Sequence, residues 1–142
     1  MKYLIDTCVM SECIKKSPSS HIENWFNQQQ PENLFLSSLT IAEIKSGIYK
    51  IRISQPTRSN ALKHWLNKIE IDFSTRILPI TDEVLNQWAE ITADAQLQGK
   101  KMQVMDSLIA ATAYTHKLIL VTRNVDDFAA APIEILNPYE LY

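Results

Sequence analysis

The sequence holds 142 residues, 46% of them hydrophobic, with a net charge of −2 and a pI near 5.9. That is enough chain for one domain, residues 1–142, with its own core, and too hydrophobic for disorder. Only two glycines are present, Gly47 and Gly99, which excludes glycine-rich phosphate loops, and the mild acidity excludes nucleic-acid binding by bulk charge alone.

The chain opens on Met1-Lys2-Tyr3-Leu4-Ile5-Asp6, an apolar run too short for a secretory signal. No stretch approaches the roughly 18 apolar residues of a membrane span. Cys8 and Cys13 lie five apart on what reads as a helix and do not face each other well enough to bridge. A reducing cytoplasm is the expected compartment.

In chain order, residues 3–5 read as a short buried strand ending at Asp6, and 7–14 as a helix. A turn with Pro18 follows over 15–20, then a helix over 21–30 stopped by Pro31. Residues 34–36 are a strand. The helix at 40–51 carries Ile41, Ile44, Ile48 and Ile51 on one stripe. A long helix is expected over 57–74 and a strand over 77–80 despite Pro79. Asp82 is expected to cap a helix running to 98, where Gly99 stops it. Residues 104–116 form a helix apolar nearly all round, 118–122 a strong buried strand and 133–136 a last strand before Pro138. Short apolar strands alternating with helices imply a parallel sheet with helices on both faces, an α/β/α sandwich. In such sheets, ligands bind beyond the carboxyl ends of the strands.

Several acids fall at those ends. Asp6 ends the first strand, where it can cap the next helix or face a ligand. Glu43 lies off the isoleucine stripe, which periodicity alone assigns to solvent. Gly47, one turn later, costs about 1 kcal/mol in a helix interior, and close approach by another group would account for it. Asp106 sits in the first turn of the apolar helix, where a carboxylate must be paired, protonated or bound to metal unless it serves the helix dipole. Asp126 and Asp127 follow the 118–122 strand and read equally as turn residues. Carboxylates gathered on one edge repel unless a cation lies among them. Oxygen donors without histidine suit Mg²⁺ or Mn²⁺. Such ions activate water, neutralise phosphate and stabilise a leaving oxygen, so phosphodiester hydrolysis is the natural chemistry.

Other chemistries fail. His21, His64 and His116 form no zinc-spaced set with each other or the cysteines, and there is no Gly-x-Ser-x-Gly elbow. Trp25, Trp65 and Trp88 lie within helices and read as core or interface rather than base-stacking platforms. A phosphoacceptor domain fits poorly, since the 77–80 strand ends in Thr81-Asp82 and the 118–122 strand in Arg123 rather than lysine.

Four segments then resemble, in order, the motifs of the PIN-domain ribonuclease toxins of the VapC type. These are Leu4-Ile5-Asp6-Thr7-Cys8-Val9-Met10-Ser11-Glu12, the segment from Leu36 to Ile48 containing Thr40-Ile41-Ala42-Glu43, Asp106-Ser107-Leu108-Ile109-Ala110-Ala111-Thr112-Ala113, and Val121-Thr122-Arg123-Asn124-Val125-Asp126-Asp127-Phe128. Leu136-Asn137-Pro138 resembles the closing strand, and Arg76-Ile77-Leu78-Pro79-Ile80 the FitB-like branch. The resemblance implies a PIN-like α/β/α sandwich and a Mg²⁺- or Mn²⁺-dependent endoribonuclease toxin. It also implies a small VapB-like antitoxin, a homodimer and higher toxin–antitoxin assembly. Carried over, Asp6 and Asp106 are the main metal ligands, and Glu43 holds a second ion or orients the attacking water. Thr7 and Thr122 order the carboxylates through their hydroxyls. Some relatives have aspartate where this chain has Asn124, and others have asparagine there with aspartate before the phenylalanine. The second pattern makes Asp127 the fourth acid, with Asp126 its substitute and Asn124 an uncharged acceptor for a metal-bound water. Arg123, Lys45, Lys100 and Lys101 are candidates to neutralise flanking phosphates, Arg123 foremost. A non-catalytic partner of the same fold and a DNA-cleaving nuclease are the alternatives.

Overall fold

The computed structural model describes residues 1–141. Five strands form one all-parallel sheet: β1 (Tyr3–Ile5), β2 (Leu34–Ser37), β3 (Ile77–Leu78), β4 (Ile119–Val121) and β5 (Ile135–Leu136), in the order β3-β2-β1-β4-β5. Six α-helices connect them: α1 (Thr7–Glu12), α2 (Ser20–Asn27), α3 (Ser38–Lys50), α4 (Pro56–Asp72), α5 (Asp82–Leu97) and α6 (Val104–Thr115).

Strand alternation sorts the core into two layers. Successive side chains point to opposite faces of a sheet, so Leu4 and Ile5 part company. Ile5 and Val121 pack with Val9, Trp25, Ile41, Ile44 and Ile48 on the face covered by α1 to α4. Leu4 and Leu120 pack with Ile109, Ala110, Ala113 and Phe128 on the face covered by α6. The small Ala110 and Ala113, both fully buried, admit α6 close against the sheet. Val84 and Ile91 of α5 then meet Ala111 on the far side of α6. That second apolar face is why the α6 sequence reads hydrophobic almost all round.

Several expectations are corrected in detail. The cap of α5 is Thr81, whose hydroxyl accepts from the Val84 N–H at 3.2 Å, while Asp82 is the first helical residue. There Asp82 and Glu83 serve the positive helix end instead. The strand expected over 77–80 stops at Leu78, because Pro79 has no N–H to continue the ladder. Nothing lies within 4 Å of where a Cβ of Gly47 would stand, so that glycine makes room for no close neighbour.

Gly99 does end α5 as expected, with φ +71°. The Lys100 N–H returns to the Ala95 carbonyl and the Gly99 N–H to Gln96, the paired bonds of a Schellman cap. Lys117 plays the same part after α6 at φ 55°, with the Leu118 N–H on Ala113 and its own on Tyr114. A Cβ in that conformation is strained.

Candidate active site

The carboxyl ends of β1 and β4, the two central neighbours, open onto one polar edge. Asp6 leaves β1 in an extended conformation and caps α1. Its Oδ1 accepts from the Thr7 N–H at 2.8 Å, and its Oδ2 accepts from the Thr122 hydroxyl, just beyond β4, at 2.8 Å. The Thr122 oxygen in turn accepts from the Asn124 N–H at 3.0 Å. Both residues are buried, Thr122 completely. Asp6 is therefore both the cap and part of the acidic edge: its two oxygens divide between backbone and Thr122.

Thr7 connects this carboxylate to the next. Its hydroxyl donates to Glu43 Oε1 at 2.9 Å, and the Thr40 hydroxyl lies 3.1 Å from the Thr7 hydroxyl oxygen. Glu43 is thus half-buried and bound, not the solvated residue that periodicity alone assigns. It lies off the isoleucine stripe because that stripe faces the core, while Glu43 faces α1.

Asp106 stands in the first turn of α6. Burial first, and then the charges of Asp127, Asp6 and Glu43 in that order, together push its carboxyl up to about 6. Four carboxylates are therefore close enough to feel one another, with no lysine or arginine offsetting them at Asp106. Asp127, on the 3₁₀ turn Val125–Phe128, is the strongest of the three charges, and Asp126 beside it does not contribute. Among the described residues, no group of three or more His, Cys, Asp or Glu is already arranged to hold a metal ion. The acids meet as repelling neighbours rather than as a closed cage.

The cations separate. Lys45, two residues from Glu43 and so on another side of α3, pairs with Glu70 of α4 at 3.6 Å. Arg123 lies over the Tyr139 ring at 5.0 Å and, with Asn124, Asp126 and Asp127, lines a polar hollow of about 350 Å³ beside the acids. Lys100 and Lys101 lie at the other side of α6, around a separate cavity with Trp88 and Ser107.

Two participants went unassigned in the sequence. Thr40 is fully buried and lies on the Ile44/Ile48 stripe at helical spacing, and a hydroxyl in an apolar stripe was the available signal. Cys8 Sγ lies 3.5 Å from Asp6 Oδ2 and 3.6 Å from Thr122 Oγ1. Burial, and then Asp6, push the thiol up, so it stands there as a neutral group rather than a nucleophile. Both cysteines are free.

The comparisons with known proteins agree with this geometry. The PIN-domain family model matches residues 3–134. The chain is 32% identical over 137 residues to toxin FitB of Neisseria gonorrhoeae, covering 96% of this chain and 97% of that protein. It is 31% identical over 138 residues to VapC ribonuclease Y4jK of Sinorhizobium fredii, with 96% and 97% covered. The crystal structure of FitAcB from Neisseria gonorrhoeae superposes with a TM-score of 0.92 at 33% identity, covering 98% of this chain and 99% of that one. The chain belongs to the PIN-domain family, in the group that holds FitB and the VapC ribonucleases.

Proposed function

We propose that this chain is a single-domain endoribonuclease toxin, cutting RNA phosphodiester bonds at the edge formed by Asp6, Glu43, Asp106 and Asp127. The observation that carries this reading is the convergence of the four acids beyond β1 and β4, with Asp6 and Glu43 each held by a threonine hydroxyl. Relatives named as a toxin and as a ribonuclease support it. By the same resemblance the protein acts in the cytoplasm as a homodimer, neutralised by a VapB-like antitoxin in a larger assembly. Among the described residues no helix is long and apolar enough to cross a membrane.

The donor set fits a hard divalent cation, Mg²⁺ or Mn²⁺. The acids are carboxylates, and the like charges that hold Asp106 toward its protonated form are what a cation would offset. Asp6, Asp106 and Asp127 would hold it, with Glu43 placed for a second ion or for the attacking water. When bound, the ion would acidify water, neutralise the phosphate and stabilise the leaving oxygen. The chain's own part is positioning. Thr122 and the Thr7 N–H fix the plane of the Asp6 carboxylate, and the Thr7 hydroxyl fixes Glu43. Asn124 offers a neutral acceptor beside them. Arg123, aligned on Tyr139, is placed for a flanking phosphate.

The test is cleavage of a mixed pool of transfer and messenger RNA by protein freed of any partner, in Mg²⁺, Mn²⁺ or EDTA. Asp6→Asn and Asp106→Asn proteins run alongside, with DNA of the same sequence as a further lane. Discrete fragments that need metal and vanish in both variants are expected. Intact RNA in every lane would leave a partner that only binds, and cleavage of the DNA instead would make the chain a DNA nuclease.

A further inference from the structure

Beside the acidic edge lies a second feature with no part in holding a metal. A cavity of about 220 Å³ opens between α5 and α6, lined by Trp88, Thr92, Gln96, Lys100, Lys101 and Met102. Ser107 forms its inner wall and directly follows Asp106, so the cavity and the acids share the first turn of α6. The Trp88 indole is fixed in place: its N–H donates to Ser107 Oγ at 2.8 Å, and Ser107 donates to the Val104 carbonyl at 2.7 Å. Lys100 and Lys101 follow the Gly99 cap and make no ion pair among the described residues. The Gln96 amide is exposed and uncommitted as well.

We propose that this cavity receives one unstacked base of the RNA strand, next to the nucleotide whose phosphate is cut. The inference rests on the ribonuclease reading of the acidic edge and deepens it by locating where the strand runs. A clamped indole and the Met102 side chain supply apolar walls, the surroundings in which splayed-out RNA bases are held. Gln96 carries both a donor and an acceptor for a base edge. The lysine pair supplies positive charge at the rim in a chain whose net charge is −2, and it can engage the adjoining phosphate. Single-stranded RNA is the occupant that combines these demands: a flat ring, a polar edge and a negative charge beside it. Its path therefore leaves the acids over α6 toward α5, so sequence preference belongs to the nucleotide on that side.

The test uses Asp6→Asn protein, which on the ribonuclease reading should hold substrate without cutting it, and a fluorescent single-stranded RNA of a sequence cut by the wild type. The same strand is made with one abasic nucleotide at each position in turn. Loss of binding of roughly tenfold is expected at one position flanking the scissile bond, the magnitude of a lost base stack. Adding Gln96→Ala or Lys100→Ala with Lys101→Ala should flatten that position's effect. Trp88→Phe should keep it, which separates a stacking surface from a merely structural side chain. In the cleaving protein, Gln96→Ala should change the bases at fragment ends more than it changes the rate at the best site. The proposal is overturned if no abasic position matters, or if Gln96→Ala and the lysine pair leave the profile and fragment ends unchanged while RNA is still cut. It is also overturned if those variants weaken only capture of an antitoxin peptide. Absence of both binding and cleavage in every protein would instead remove the ribonuclease reading itself.

Discussion

Glu12 and Asp106 are both shielded acids on short or apolar helices, and the chain treats them in opposite ways. Glu12 ends α1, accepts from the Ser19 N–H at 3.3 Å and meets Lys15 Nζ at 2.6 Å. The Lys15 ammonium holds its carboxyl below the ordinary range. Asp106 has no such partner, and burial together with three neighbouring acids holds it up at about 6. The chain satisfies Glu12 from within, and the carboxylate ties down the turn between α1 and α2. The needs of Asp106 are left for something brought from outside. A lysine partner on one side, and burial among like charges on the other, separates the acid that holds a turn from the one proposed to hold a metal.

The largest effects should come from breaking the functional side. Removing a metal-holding acid should cost more than the 10- to 100-fold typical of an outer partner, so Asp6→Asn and Asp106→Asn are each expected to lower RNA cleavage at least roughly 100-fold. Glu12→Gln should leave the rate near wild type. Thr122→Val tests the outer partner itself. It keeps the shape but removes the donor to Asp6 Oδ2 and the acceptor for the Asn124 N–H. Activity should fall about 10- to 100-fold, and urea titration should show stability lower by roughly 1–3 kcal/mol.

Next comes pH. If Asp106 holds the metal as proposed, it must lose its proton to do so, and cleavage at limiting metal should rise with pH and level off above about 6. A profile flat from pH 5 to 7 would detach Asp106 from the chemistry. Stability of the metal-free protein should respond in the opposite sense. The native state holds this proton more tightly than the unfolded chain, whose value is near 3.8, so Asp106 favours folding below that value and loses stability as pH climbs through about 6. Asp106→Asn removes the loss. At pH 7 and low salt, without metal, it should raise stability by about 1 kcal/mol, after discounting a part-exposed group for solvent screening. That is roughly 3–5 °C for a chain of this size. Glu12 runs the other way, since its lowered carboxyl contributes above the ordinary value and loses that contribution in acid. Lys15→Ala should therefore destabilise by a few tenths of a kcal/mol near neutrality, and the gap to wild type should close at low pH.

The smallest test leaves both acids alone. Lys117 ends α6 in the left-handed region at φ 55°. Lys117→Gly should gain roughly 0.5–1 kcal/mol by thermal melting without altering cleavage.

Much of this molecule follows from local rules. Strand alternation sends Leu4 and Ile5 to opposite faces, the isoleucine stripe of α3 faces the core, and Gly99 ends α5 at positive φ. Each is a property of a few adjacent residues, so periodicity and turn chemistry suffice to read it. The placement of Asp6 and Asp106 at element ends was legible for the same reason. What local rules misassign depends on partners distant in the chain. Glu43 looks solvated on its own helix, but Thr7, 36 residues away, donates to it. Asp126 and Asp127 read alike as turn residues by local rules, and the family resemblance alone favoured Asp127; it is the 3₁₀ turn that brings the charge of Asp127 to bear on Asp106. Lys45 is a candidate for phosphate until α4 supplies Glu70. The elements, and the acids that end them, were thus set by the sequence acting over a turn or two. Which acids share one field, and which cations stay free to meet a substrate, was decided only when the β3-β2-β1-β4-β5 order brought those ends together, because electrostatic interaction depends on distance in space rather than along the chain.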